Sequence, residues 1–119
     1  MEVPALKFAD FKSKAEAESS TAIKARVTAA RERQRARFSG KGIFANVQMG
    51  VREIREFCRI GPEAEKLLEE AVFRLGFSAR AYDRSLKVAR TIADLAGAEE
   101  ISAAHLAEAI QYRAMDRYY

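Results

Sequence analysis

The chain has 119 residues, 49% of them apolar and 32% charged, enough to build one packed core, so a single domain is expected. Lys and Arg outnumber Asp and Glu by 21 to 17, a formal charge of +4, which permits a phosphate-bearing partner without demanding one. The only cysteine, Cys58, and the only histidine, His105, exclude an internal disulfide and the usual structural zinc sets, and suit a reducing, cytoplasmic setting.

In chain order, Glu2-Val3-Pro4-Ala5-Leu6-Lys7-Phe8 alternates weakly around a proline and is expected to be an edge strand or extended lead-in. It lacks the apolar region of a signal peptide, and no later run reaches membrane-spanning length, so no membrane partner is expected. Ser19 and Ser20 are good caps for a helix running to Phe38, with Ile23, Val27, Ala30 and Gln34 at helical spacing. Its last turns carry Arg31, Arg33, Arg35 and Arg37 against Glu32, a placement that complements the negative end of the helix dipole.

Ser39-Gly40-Lys41-Gly42 then signals a loop to about Asn46. The spacing predicts a short helix over Val47 to Arg59 with Val51, Ile54, Phe57 and Cys58 inward, stopped by Gly61-Pro62. Pro62 suits the first position of the next helix, whose Ala64, Leu67, Leu68, Ala71, Val72 and Leu75 recur at three-four spacing until Gly76. Ser78 caps a fourth helix, with Ala79, Tyr82, Leu86, Ala89, Ile92 and Ala96 expected inward, Val88 and Leu95 widening that stripe, and Gly97 ending it. A last helix starts at Ser102, with Ile101 and Leu106 placed as a hydrophobic staple. It is expected to end near Met115 and fray toward Tyr118 and Tyr119. The fold class is therefore all-α, a bundle of about five helices behind a short extended lead-in.

Catalytic chemistry is scarce. Gly40-Lys41-Gly42 follows a helix and lacks the flanking pattern of a phosphate-binding loop. Cys58 falls on an apolar stripe and reads as core, and His105, near the start of its helix, reads as a surface or capping residue. Glu63, Glu65, Glu69 and Glu70 fall on the solvent side of an amphipathic helix. The unusual feature is Ser78-Ala79-Arg80-Ala81-Tyr82-Asp83-Arg84, which puts Arg80 in the first turn of a capped helix. A cation there opposes the macrodipole by about 0.3 to 1 kcal/mol, which suggests an anion drawing on both the guanidinium and the free amides. Pairing of Arg80 with Asp83, or with a carboxylate on a neighbouring helix, accounts for it equally well.

The segment from Phe77 to Gly97, with Glu99-Glu100-Ile101 and His105 to Arg113 after it and Ala29 to Gln34 and Asn46-Val47-Gln48-Met49 before it, resembles the C-terminal part of magnesium-chelatase-like AAA+ ATPases of the ComM/YifB family. Glu2-Val3-Pro4-Ala5 resembles the end of that family's ATPase core. The resemblance implies a boundary with residues 1–14 as core tail or linker and 15–119 as the helical C-terminal lid. It implies that Arg80 is a sensor 2 arginine reading the nucleotide's terminal phosphates, that Ser78 is the cap directing it, and that Arg84 assists or meets a neighbouring subunit. ATP or ADP with Mg2+ is expected only in the full-length protein, and the fragment, without the family's Walker motifs, is not expected to be an enzyme on its own. The implied partners are the chain's own AAA+ core, neighbouring subunits of a hexamer, and DNA handled by the whole motor. Two alternatives stand beside this: direct DNA contact through Arg31, Arg33, Arg35, Arg37 and Lys41, or a docking module without nucleotide contact.

Overall fold

The computed structural model describes residues 19–116. The extended lead-in, the boundary after residue 14 and the terminal tyrosines lie outside the described residues. Those described form five α-helices and one 3-10 turn, with no strand beyond an isolated parallel bridge between Ile60 and Ile101. The all-α bundle expected from periodicity is what the chain forms.

Helix α1 spans Ser20–Arg37, and Ser19 caps it as its Oγ accepts from Ala22 N at 3.1 Å. Of its expected inward stripe, Ala30 and Gln34 are buried, Val27 is half-buried and Ile23 is exposed. The first turns of α1 therefore stand clear of the body, and only its last turns pack. The loop that follows turns on Gly40 and Gly42, both at φ +77, where a side chain would be strained.

The helix expected over Val47 to Arg59 is divided. A 3-10 turn at Asn46–Gln48 is followed by Gly50 in an extended conformation and then by α2, Val51–Phe57. Gln48 Oε1 accepts from Phe44 N and Ala45 N at 2.8 and 3.1 Å, and Glu53 Oε1 accepts from Gly50 N at 2.8 Å. These bonds to the free amides at each start favour two short pieces over one helix. Val51, expected inward, is exposed, while Ile54 and Cys58 are buried.

Helix α3, Pro62–Leu75, begins with proline in its first turn and stops at Gly76, left-handed at φ 65. Helix α4, Ala79–Leu95, is capped by Ser78, whose Oγ accepts from Ala81 N at 3.1 Å. Helix α5, Ala103–Asp116, packs against both α3 and α4. Its start carries a reciprocal cap in which Ser102 N donates to His105 Nδ1 at 3.0 Å and His105 N donates to Ser102 Oγ at 3.2 Å. The capping reading of His105 holds, with imidazole in the place usually taken by glutamate.

The core joins Phe38, Met49, Ile54, Cys58, Leu68, Leu86, Ala89, Ala93, Ile101 and Leu106. Ile101 and Leu106, the expected staple, are both buried in it. The inward face of α4 is rotated from the expected one: Ala81, Ser85, Leu86, Ala89, Arg90, Ala93 and Asp94 are buried, whereas Ala79, Val88, Leu95 and Ala96 are exposed. An apolar-only rule misplaces this face because polar groups share it: Ser85, Asp94 and both terminal nitrogens of Arg90 are bonded internally, and Arg90 Nε is left without a partner among the described residues.

Candidate functional site

At the start of α4 the Ser78 cap leaves Arg80 exposed on the first turn. Among the described residues Arg80 forms no ion pair, and the contact with Asp83 that the sequence left open is not made. Ala81 N is taken by Ser78 Oγ at 3.1 Å and Tyr82 N by the Ser78 carbonyl at 3.0 Å, which leaves the amides of Ala79 and Arg80 beside the exposed Arg80 side chain, an arrangement suited to an anion. Arg84 follows one turn later and is also exposed.

From Arg84 a groove of about 730 Å³ runs between α4, α5 and the 3-10 turn. Its apolar walls include Val47, Val88, Ile92 and Tyr112, and Arg84 and Lys87 stand at its rim. Lys87 is steadied there by donating from Nζ to the Val47 carbonyl at 3.2 Å.

The basic residues of α1 divide into separate groups. Arg31, Arg33 and Arg35 are exposed, and Arg33 Nη2 lies 3.6 Å from where a Cβ on Gly97 would stand, over the end of α4. Lys41 leans toward α2, with Nζ 3.9 Å from Glu56 Oε2 and 5.6 Å from the centre of the Phe57 ring. Arg37, grouped by sequence with the candidate nucleic-acid contacts, instead turns inward: Nη1 donates to Asp94 Oδ2 at 2.8 Å and Nη2 to Asp94 Oδ1 at 2.6 Å.

Asp94 is the centre of a buried polar network. Its side chain is 0% exposed and that of Arg37 is 13% exposed. Asn46 Nδ2 donates to Asp94 Oδ2 at 2.8 Å and to Thr91 Oγ1 at 3.1 Å, while Asn46 Oδ1 accepts from Arg37 at 2.9 Å. Gln34 Oε1 accepts the Asn46 backbone N–H at 2.9 Å. Arg90 Nη2 stands 3.3 Å from Asp94 Oδ1, and the same guanidinium donates to the carbonyls of Glu99 and Ala98 at 2.8 and 2.9 Å. The carboxylate thus fastens the end of α1, the 3-10 turn, α4 and the connection into α5. Burial alone would raise its pKa, but hydrogen bonds from Arg37 and Asn46 and the charges of Arg37 and Arg90 together hold it below its ordinary value. Burial lowers the pKa of Arg90, against the pull of Asp94.

This network was missed in the sequence. Its one local sign is that Arg90 and Asp94 lie beside Ala89 and Ala93, on the face of α4 that must be buried if those alanines are. Cys58 is core as expected, with Sγ 3.9 Å from Met49 Sδ and burial pushing its thiol up to about 11. Among the described residues no group of three or more His, Cys, Asp or Glu is placed to hold a metal ion, and no helix is long and apolar enough to cross a membrane.

Residues 17–113 match the family model described as magnesium chelatase, subunit ChlI C-terminal. The chain is 47% identical over 100 residues to the uncharacterized protein YifB of Escherichia coli and 46% identical over 100 residues to that of Salmonella typhimurium. It is 44% identical over 100 residues to the competence protein ComM of Haemophilus influenzae. Each match covers 84% of this chain and 19% of the relative, so the chain spans about a fifth of the length of these relatives. No solved structure matches.

Proposed function

Because the chain belongs to the magnesium chelatase ChlI C-terminal family, we propose that it acts as the helical lid of an AAA+ ATPase and that Arg80 reads the terminal phosphates of the bound nucleotide as its sensor 2 arginine. The observation that carries this reading is the exposed Arg80 on a Ser78-capped first turn, without an ion pair among the described residues. Both donors suit phosphate oxygens, and Arg84 extends the cationic side by one turn. Mg2+ would be held by the nucleotide and the ATPase core, since the described residues group no carboxylates for it.

A guanidinium favours the triphosphate over the diphosphate, so hydrolysis shifts the lid's preferred position and with it the contacts between subunits of a hexamer. In this reading the fragment does not hydrolyse ATP alone, and the whole motor acts on DNA in the cytoplasm. Support for the DNA-acting part comes from the similarity to a competence protein. The test is Arg80→Ala in the full-length protein, where ATP turnover should fall while the lid keeps its melting temperature. Unchanged turnover would remove Arg80 from the mechanism.

A second reading rests on the exposed Arg31, Arg33 and Arg35 of α1: a basic module that touches DNA directly. It requires binding by this chain that weakens steeply with salt. Arg37, committed to Asp94, and Lys41, leaning on α2, contribute less to that face than their sequence positions suggest.

A further inference from the structure

Inside the fold two cations share one anion. The side chains of Arg37, Arg90 and Asp94 are 13%, 5% and 0% exposed, and Asp94 is the carboxylate for both guanidinium groups. At Arg90 the attraction of Asp94 is opposed by the charge of Arg37, so the set carries an excess of positive charge. Buried charge of that kind is costly unless an opposite charge stands near it. Arg90 also has a donor to spare: its terminal nitrogens reach the carbonyls of Glu99 and Ala98, whereas Nε is buried and has no acceptor among the described residues.

Arg37 and Arg90 both reach the wall of a cavity of about 530 Å³ between the end of α2, the Ile60–Ile101 bridge and the connection into α5. Arg59 stands on the same wall, exposed and without an ion pair among the described residues. Glu56, Glu99 and Glu100 line it too, but all three are exposed, and Glu56 leans to Lys41 at 3.9 Å. None of them pairs with the three arginines among the described residues. The buried side of the cavity is therefore cationic, and its carboxylates lie toward solvent.

We propose that this cavity binds a small oxyanion, phosphate or a carboxylate, held by Arg59 and Arg37 and supplying the negative charge that the Arg37, Asp94 and Arg90 set lacks, with Arg90 Nε as the donor open to it. Guanidinium groups suit such ligands because their forked N–H groups match the spacing of phosphate and carboxylate oxygens. The demand is set by buried groups of this chain, not by an exposed face, so it holds whatever lies over the outside of the domain. It is independent of the nucleotide reading of Arg80, which stands about 15 Å from Arg90 along α4 at the helical rise.

The experiment uses the chain with Arg80→Ala, so that phosphate at the start of α4 does not contribute to the signal. Sodium phosphate, sodium acetate and, as control, sodium chloride are titrated at equal ionic strength while the Arg90 Nε–Hε resonance is followed by NMR. An oxyanion should move that resonance saturably, with a dissociation constant on the order of millimolar, and chloride should not. The tighter of phosphate and acetate identifies the ligand as phosphate-like or carboxylate-like. Arg59→Gln, at an exposed position, should weaken the response by at least about fivefold. A resonance that stays in place with both oxyanions, one that moves equally in chloride, or a response untouched by Arg59→Gln would each overturn the proposal.

Discussion

Arg37 and Asp94 are 57 residues apart in the chain and meet through two parallel hydrogen bonds of 2.8 and 2.6 Å, one from each terminal guanidinium nitrogen to each carboxylate oxygen. The pair joins the last residue of α1 to the penultimate residue of α4. With Asn46 and Arg90 completing the shell, the lone pairs of Asp94 are well occupied by donors.

Removing Asp94 leaves the guanidinium groups of Arg37 and Arg90, with 13% and 5% of their side chains exposed, without their carboxylate partner. Asp94→Ala should therefore lower stability by about 3–5 kcal/mol, read from the urea midpoint at constant slope. Arg37→Ala, at a partly exposed position, should cost less, and the double variant should cost less than the sum of the two singles. Strict additivity would show that the pair is not coupled.

The same carboxylate sets an acid response. Its folded pKa lies below the ordinary 3.8, so its contribution is complete above that value and fades as pH falls through the lower folded value. Stability measured from neutral pH into the acid range should fall on that limb, and Asp94→Asn should flatten it. Equal acid limbs in the two proteins would assign the response to other carboxylates.

Cys58 gives the opposite limb. Burial raises its pKa from 9.0 to about 11, so the folded chain keeps a proton that the unfolded chain releases, and this contribution declines as pH rises across that interval. Near pH 8 the native thiol should be alkylated at least about a hundredfold more slowly than the urea-unfolded thiol. Comparable rates would place Cys58 at the surface.

Arg80 opposes the dipole of its own helix. In the isolated chain Arg80→Ala should therefore leave thermal stability unchanged or raise it by about 0.3–1 kcal/mol, the reverse of its expected effect on turnover in the full-length protein. A loss above about 1 kcal/mol would mark Arg80 as a structural residue.

The cap on α5 is open to a similar test. Ser102→Ala removes the acceptor for His105 N and should cost about 0.5–2 kcal/mol by thermal unfolding. No loss would mean that water replaces the hydroxyl at that end.

Helix punctuation was legible in the sequence because it is local. Pro62, Gly76, Ser78, Gly97 and Ser102 begin or end helices through their own backbone and side-chain chemistry, and each does so in the structure. The Ser78 cap and the position of Arg80 followed from the same signals. The Asp94 network was not legible, because Asp94 finds Arg37 across a loop and two further helices, and a rule that turns charges outward sends both to solvent. Division of the expected Val47 to Arg59 helix was hidden for a related reason: its apolar spacing is compatible with one helix, and only the amide bonds to Gln48 and Glu53 separate the pieces.

The Asp94 carboxylate also lies between two long arms. Along α4, Arg80 stands about 21 Å from it at the helical rise, and along α1 the exposed Ser20 stands about 25 Å from Arg37. Because Leu86, Ala89 and Ala93 of α4 share one buried cluster with Leu68 and Leu106, α4 turns about that point only together with the helices packed on it. Tilting that packed unit by about 10° around Asp94 would carry the first turn of α4, with Arg80 on it, through about 4 Å, more than the length of a hydrogen bond.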